Sequence, residues 1–278
     1  MTSLLTAGGA RLTLAQFHTY YDPLLLVLRN HTIDGLDLDI EESVDVSVPL
    51  RLLRQLNNDL GSNFLLTMAP VASALLPNGP GLSGFSYADL DAQATDPARP
   101  NGKLVNWYNA QFYNGWGDAS NQVGYNNIVQ LGSWPADRVV MGVLDNPNDG
   151  GSGFVEIETL KSVIKQLRAN YATFGCAVGW EYWDAGGADG YALPWQWVKE
   201  VGNAVFTAED GSAAQNLTTN LDAKTPTPWP GAMGVLAGKG VQWYGAVKAL
   251  NQTNGDLAAA EKLLGLVGDL VGGVLGAL

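Results

Sequence analysis

The chain alternates short apolar runs with longer stretches in which apolar residues recur every three or four positions. The short runs are typical of buried strands, and the periodic stretches are typical of helices with one apolar side. Strands are predicted at 3–7, 33–40, 64–69, 104–113, 138–144 and 176–182, and helices at 13–30, 48–60, 125–131, 156–171 and 195–206. This alternation predicts parallel βα units in an α/β fold.

Notable polar and aromatic residues fall where the predicted strands end, at 8–9, 39–41, 68–70, 113–114, 145 and 180–182. A barrel gathers functional groups from the ends of many strands, whereas an open doubly wound sheet gathers them at one switch point. Since nearly every strand end is marked here, the pattern favours a (β/α)8 barrel of the TIM type over the open sheet.

Composition and charge exclude several classes of function. The chain has 15 Lys and Arg against 27 Asp and Glu, a net charge of −12, and no basic run. We therefore expect no nucleic-acid partner and no binding to anionic membranes. Cys176 is the single cysteine, and His18 and His31 are the two histidines. They allow neither an intrachain disulfide nor a zinc site built from Cys or His.

The segment 34–41 reads Asp-Gly-Leu-Asp-Leu-Asp-Ile-Glu. Because side chains on a strand alternate between its faces, Asp37, Asp39 and Glu41 are predicted to share the face that lines a barrel interior. Carboxylates so close together repel one another, so at least one pKa is expected to rise. Stability does not account for this arrangement, whereas a general acid does.

Residues 34–41 match the DGxDxDxE signature of glycoside hydrolase family 18, the chitinases and endo-β-N-acetylglucosaminidases, and the chain resembles this family over roughly residues 3–206. Segments 7–10, 66–70, 111–114, 141–143, 151–154 and 179–182 are similar to other strand ends of the family, in order. The QFYN at 111–114 resembles hevamine-like chitinases, and 69–75, 82–87 and 179–183 resemble fungal endo-β-N-acetylglucosaminidases.

The resemblance implies a role for each matching residue. Glu41 would be the general acid and then the base, Asp39 would orient the 2-acetamido group of the substrate, and Asp37 would share a proton with Asp39. Tyr113 would donate to the acetamido oxygen. Trp180 would form the floor under the sugar at the cleavage site, which Asn114, Gln111 and Met68 would also line. The family's reaction retains configuration and needs no metal and no cofactor.

The resemblance, which ends near residue 206, and the change in composition after it together predict a domain organisation. Residues 1–207 are predicted to form a partial TIM barrel that lacks the first two βα units, followed by a linker at 208–239 and a helical extension at 240–278. Residues 246–264, with a turn at Asn254-Gly255, resemble the helix–turn–helix of a ubiquitin-associated domain, which leaves ubiquitin as a possible partner. Residues 263–278 are predicted to form an amphipathic terminal helix rather than a membrane span.

The expected function is hydrolysis of β-1,4 bonds between N-acetylglucosamine units, either in chitin or in the chitobiose core of N-glycans. Two alternatives stay open: a lectin-like protein that binds such sugars without cleaving them, and a truncated, inactive family member. The family implies a secreted or cell-wall protein, but residues 1–10 show no basic region and no apolar core typical of a signal peptide.

Overall fold

The structure is a computed structural model that describes residues 6–7, 10–31, 33–99, 101–206, 232, 236, 249–250 and 252–266. The chain divides into two compact units, Met1–Val205 and Phe206–Leu278. The described helices and strands of the first unit are β1 (Thr6–Ala7), β2 (Ala10–Arg11), α1 (Leu14–Asn30), β3 (Gly35–Leu38), α2 (Ser47–Leu60), β4 (Leu65–Met68), α3 (Tyr87–Gln93), β5 (Trp107–Gln111), α4 (Val123–Gln130), β6 (Val139–Leu144), α5 (Ile157–Asn170), β7 (Ala177–Trp180) and α6 (Pro194–Val205). Short 3-10 helices lie at Ala72–Leu75, Ala136–Arg138 and Tyr182–Asp184.

Five strands form one parallel sheet in the order β3-β4-β5-β6-β7, and a helix lies in each connection between consecutive strands. This arrangement is a half-barrel, and it confirms the predicted parallel βα units. In the described part of the chain, β3 and β7 each pair with one neighbour.

The described part of the strand predicted at 3–7 lies in a separate two-stranded sheet, so the described residues form five parallel strands rather than the six expected. Its described residues, β1, instead pair antiparallel with β2, with Ala7 opposite Ala10. The physical reason is proximity along the chain, because a connection of two residues suffices for antiparallel pairing whereas parallel pairing needs a long crossover.

The hydrophobic core of the first unit lies on the helix-facing side of the sheet. Leu38, Leu66, Tyr108, Met141 and Val143 from the strands are at most 1% exposed. They belong to one apolar cluster with residues of the helices, including Leu53, Leu56, Leu160, Ile164 and Trp197. Because strand residues alternate between faces, the opposite face of the sheet is left for polar side chains.

A buried charge network lies at the start of the strands, away from their C-terminal ends. Asp91 on α3 accepts hydrogen bonds from Tyr108 (2.9 Å), from Lys103 (2.8 Å) and from the Arg138 guanidinium (3.2 Å). Burial alone would raise the pKa of Asp91, but the bonds from Arg138 and Lys103 outweigh it and hold that pKa below its ordinary value. The network thus joins α3 to β5 and β6.

The described residues of the second unit include a turn that leads into one helix, while most of the first helix predicted within 246–264 lies outside the described residues. Asn254 and Gly255 have φ values of 50° and 85°, and helix α7 (Leu257–Leu263) follows with the Asp256 side chain as its N-cap. Ala249, Leu250 and Ala260 are buried together with Leu236. The predicted linker lies mostly outside the described residues, as does the terminal helix predicted at 263–278. No helix in the described part of the chain is long and apolar enough to cross a membrane.

Replacing Arg138 should destabilise the first unit strongly. Arg138→Met removes the bidentate partner of a buried carboxylate, and breaking such a pair costs about 3–5 kcal/mol of unfolding free energy. As a control, Glu158→Gln removes the charge of a side chain that is 79% exposed and pairs with Lys161, and it should cost about 1 kcal/mol or less. Urea unfolding followed by circular dichroism measures the unfolding free energy of both variants. Equal losses would show that the network around Asp91 stabilises the protein no more than an exposed ion pair does.

Candidate active site

An open cleft of about 460 Å³ lies on the face of the sheet opposite the core, at the C-terminal ends of the strands. Its lining includes Asp37, Asp39, Asn109, Gln111, Tyr113 and Trp180, together with backbone of Gly142 and Gly179. The strand register explains this grouping. Gln111 on β5 pairs with Gly142 on β6, which in turn pairs with Val178 on β7. Cα partners in neighbouring strands share a face, so these positions form one surface.

Asp37 is held by two donors that the sequence analysis did not identify. The Thr67 hydroxyl donates to Asp37 Oδ1, and the Asn109 amide donates to the same oxygen at 3.1 Å. Burial raises the pKa of Asp37, and the two hydrogen bonds oppose this rise. Thr67 on β4 lies directly opposite Asp37 on β3. It could have been identified from the sequence only if the alignment of these two strands had been known.

Asp39 and Glu41 are joined by one amide. Gln111 Nε2 lies 3.3 Å from Asp39 Oδ1 and 3.3 Å from Glu41 Oε1, and it also donates to the Ala69 carbonyl at 2.9 Å. Burial raises the pKa of Asp39 to about 6, with further contributions from the charges of Glu41 and Asp37. The expected rise of at least one pKa among these acids is therefore present in the structure.

The three acids share a face as predicted, but they are not uniformly buried. Asp37 and Glu41 are exposed and Asp39 is half-buried, while Leu38 and Ile40 between them are buried. Although Asp37 has surface open to the cleft, protein atoms packed around its carboxylate raise its pKa. Glu41 lies at the open rim of the cleft, where solvent reaches its carboxyl group. Asp37 and Asp39 each take hydrogen bonds from neighbouring strands rather than from one another.

Tyr113 and Trp180 lie on the cleft as predicted. Tyr113 is 8% exposed and follows β5, and its hydroxyl pKa is raised by burial and by the charges of Asp39 and Glu41. Trp180 ends β7 and is 51% exposed, so its ring offers an open apolar surface. A ring of this kind can stack on the apolar face of a sugar.

Met68 and Asn114 do not line the cleft, which corrects two predicted positions. Met68 is fully buried and pairs with Leu38, so strand alternation turns its side chain into the core. The Asn114 side chain accepts hydrogen bonds from the backbone of Gly151 (2.8 Å) and Ser152 (3.3 Å). Asn114 therefore holds the loop after β6 next to Tyr113.

Gly35, the glycine of the 34–41 motif, lies where β3 and β4 approach too closely for a side chain. A Cβ at Gly35 would lie 2.6 Å from the Leu65 Cβ and 2.7 Å from the Leu65 carbonyl oxygen, too close for any side chain. The preceding Asp34 carbonyl accepts the Leu65 N–H at 2.9 Å. Both residues thus fix the alignment of β3 on β4, which places Asp37 beside Thr67.

Comparisons with known proteins identify the relatives of this arrangement. The chain is 42% identical to the chitinase ChiC from Aspergillus fumigatus, with a TM-score of 0.58, over 69% of this chain and 65% of that one. It is 35% identical to a fungal endo-β-N-acetylglucosaminidase of glycosyl hydrolase family 18, with a TM-score of 0.61, over 68% of this chain and 63% of that one. Chitinase 2 of Rhizopus oligosporus is 26% identical over 161 residues, 55% of this chain and 25% of that protein.

No protein-family model matches the chain. The chain spans less than two thirds of either solved relative and a quarter of the Rhizopus protein. The similarity nevertheless confirms the family resemblance predicted from the sequence.

Removing the Asp39 charge should stabilise the protein above pH 6. With a pKa of about 6 in the folded state against an ordinary value of about 3.9, folding favours the protonated form. The stability that this proton contributes is present below pH 4 and is lost as the pH rises through 6. Asp39→Asn should therefore exceed the natural chain by ~1 kcal/mol at pH 7.5, once solvent screening of a half-exposed group is allowed for.

The measurement is urea unfolding of both proteins at pH 4 and pH 7.5, with Asp89→Asn as a control at an exposed acid of α3. The advantage of Asp39→Asn should shrink toward zero at pH 4, and Asp89→Asn should show no such trend. A constant difference at both pH values would rule out the elevated pKa.

Proposed function

Since the chain is a relative of the family 18 glycoside hydrolases, we propose that it hydrolyses β-1,4 bonds between N-acetylglucosamine units. The observation that carries this proposal is the Gln111 amide within 3.3 Å of both Asp39 and Glu41. This contact fixes an exposed carboxyl group at the rim of the cleft and a half-buried one, of raised pKa, inside it. Two carboxyl groups in different environments suit different roles in one reaction.

Glu41 is the general acid in this proposal. It protonates the glycosidic oxygen as the bond breaks and afterwards accepts a proton from the attacking water. Its position at the rim lets it reach a bond whose leaving sugar lies outside the cleft. The Trp180 ring lies under the sugar that stays inside, and the Tyr113 hydroxyl donates to the acetamido oxygen of that sugar.

The acetamido oxygen of the substrate acts as the nucleophile. The carboxylates that line the cleft, Asp37 on β3 and Asp39 just after it, come from the same segment as Glu41, so the proposal places no acid on the opposite side of the bond. Family 18 is a known exception to the usual pair of opposed carboxylates, because its substrate assists the reaction. Asp39 holds the acetamido group, the one negative charge that Asp37 and Asp39 carry together balances the positive charge of the cyclised intermediate, and the overall configuration is retained.

Thr67 and Asn109 are proposed as positioning residues in this scheme. Their two hydrogen bonds favour the ionised form of Asp37, which keeps a negative charge beside Asp39 and helps Asp39 retain its proton. The two carboxyl groups thus hold one proton in total. Asp37 and Asp39 are coupled through their charges rather than through a direct contact.

The substrate is either chitin or the chitobiose core of N-glycans, and the cleft residues serve both because both present the same acetamido sugar. The solved relatives include one chitinase and one endo-β-N-acetylglucosaminidase, so the comparisons favour neither. Ubiquitin binding by the second unit stays a prediction that rests on the sequence resemblance of residues 246–264.

Glu41→Gln should abolish most of the hydrolysis while leaving sugar binding intact. The substitution keeps the shape of the side chain and removes its proton, so the rate should fall by ~10²–10⁴-fold. Glu42→Gln, a change at the neighbouring residue of the chain, is the matched control and should leave the rate within a few-fold of the natural chain. Chromatography of cleaved chitooligosaccharide and high-mannose glycopeptide gives the rates, and calorimetry gives the affinities.

Near-full turnover by Glu41→Gln would show that Glu41 is not the acid. Binding of chitooligosaccharide without any hydrolysis by the natural chain would instead favour the lectin-like alternative. Cleavage of one of the two substrates alone would settle which bond the protein acts on.

A thiazoline that mimics the cyclised intermediate should inhibit competitively and bind more tightly than a plain chitooligosaccharide, because an enzyme is complementary to the transition state and its relatives. Asp39→Ala should weaken thiazoline binding by at least tenfold more than it weakens oligosaccharide binding. Asp34→Ala is the control, since Asp34 belongs to the same motif but precedes β3. A glycosyl ester trapped on any Asp or Glu of the chain would contradict the mechanism.

A further inference from the structure

Three aspartates meet at the C-terminal ends of β6 and β7, outside the residues that line the cleft. Asp145 directly follows β6, Asp149 lies in the loop that follows, and Asp184 ends the 3-10 helix after β7. One carboxylate oxygen of each lies within 4.8 Å of the others. The sequence analysis marked residue 145 as a strand end without assigning it a role.

The burial of Asp145 shows that these are not ordinary surface acids. Asp145 is 1% exposed, and its Oδ1 atom is buried without a hydrogen-bond partner among the described residues, as is Asp184 Oδ1. Within the described part of the chain, no lysine or arginine lies at ion-pair distance from the three carboxylates. A buried carboxylate with an unpartnered oxygen is costly unless a cation or a proton satisfies it.

The donor set and its spacing distinguish between cations. Carboxylate oxygens are ligands for hard cations. Two oxygens on opposite sides of Ca²⁺ lie up to about 5 Å apart, whereas the shorter bonds of Mg²⁺ limit this separation to about 4 Å. Oxygens that all lie within 4.8 Å of one another can reach one cation together, and Ca²⁺, with its longer bonds and flexible geometry, accepts the whole of this range.

We propose that Asp145, Asp149 and Asp184 bind one Ca²⁺ ion. The proposal of this site does not rest on the proposed hydrolysis, because the three aspartates are not among the residues that line the cleft.

The ion would brace the segment that carries Trp180. The Asp145 N–H donates to the Trp180 carbonyl at 3.1 Å, and the Glu181 N–H donates to Asp149 Oδ2 at 3.2 Å. Asn146 Nδ2 also donates to the Asp184 carbonyl at 3.2 Å. An ion held by the three aspartates thus ties the end of β6 to Trp180 and to the residues that follow it.

Calorimetric titration of CaCl2 into the full chain, freed of metal with a chelator, tests the proposal directly. The natural chain and the control Asp89→Asn should bind one Ca²⁺, and Mg²⁺ should bind at least tenfold more weakly. Asp145→Asn and Asp149→Asn should each weaken Ca²⁺ binding by at least ~10-fold, the lower limit for losing even a group that supports a ligand. The melting temperature of the natural chain should rise with Ca²⁺ concentration, as mass action requires.

Two results would overturn the proposal. One is an absence of Ca²⁺ binding by the natural chain at millimolar concentration, which would mean that a proton alone satisfies Asp145. The other is unchanged Ca²⁺ affinity in both Asp145→Asn and Asp149→Asn, with circular dichroism confirming that the variants are folded. Neither result depends on whether the chain cleaves a sugar, so the cation site and the proposed hydrolysis stand or fall separately.

Discussion

The two-residue repeat of a β-strand is the constraint on which both the core and the cleft depend. On β3 it sends Leu38 into the core and Asp37 to the opposite face, and the parallel register extends this division to the next strand. Thr67 therefore meets Asp37, while Met68 packs beside Leu38. A shift of one residue between these strands would reverse every side chain, placing acids in the core and leucines in the cleft. Gly35 helps to prevent that shift, since a side chain there would collide with Leu65.

The cleft concentrates negative charge at a cost in stability, and polar contacts from neighbouring strands reduce this cost. Hydrogen bonds from Thr67 and Asn109 oppose the desolvation of Asp37, and Gln111 does the same for Asp39. At the other end of the strands, the carboxylate of Asp91 is matched by Arg138 and Lys103. The charges at one end are thus paired for stability, while those in the cleft are left with raised pKa values suited to proton transfer.

The sequence allowed the parallel sheet, the acidic strand and its polarity to be predicted, because each follows from the local periodicity of residues. It did not identify contacts that depend on register between distant segments. Thr67 and Asn109 lie 30 and 72 residues from Asp37 along the chain, and nothing in their own surroundings marks them. Met68 was misplaced for a related reason. It was placed by its closeness to a strand end, whereas its pairing with Leu38 decides which face it joins.

The acids of the cleft and the acids around Asp145 differ in the hydrogen-bond donors that reach them. This difference suits the two groups to different chemistry. In the cleft, amide and hydroxyl donors reach Asp37 and Asp39, so the charge is partly compensated and one proton can move between carboxylates and substrate. Near Asp145, backbone and side-chain donors reach Asp149 and Asp184 but leave Asp145 Oδ1 without one. Compensation there must come from a species that enters from solvent. A group that keeps its donors suits acid–base catalysis, whereas a buried group short of donors suits the binding of a cation.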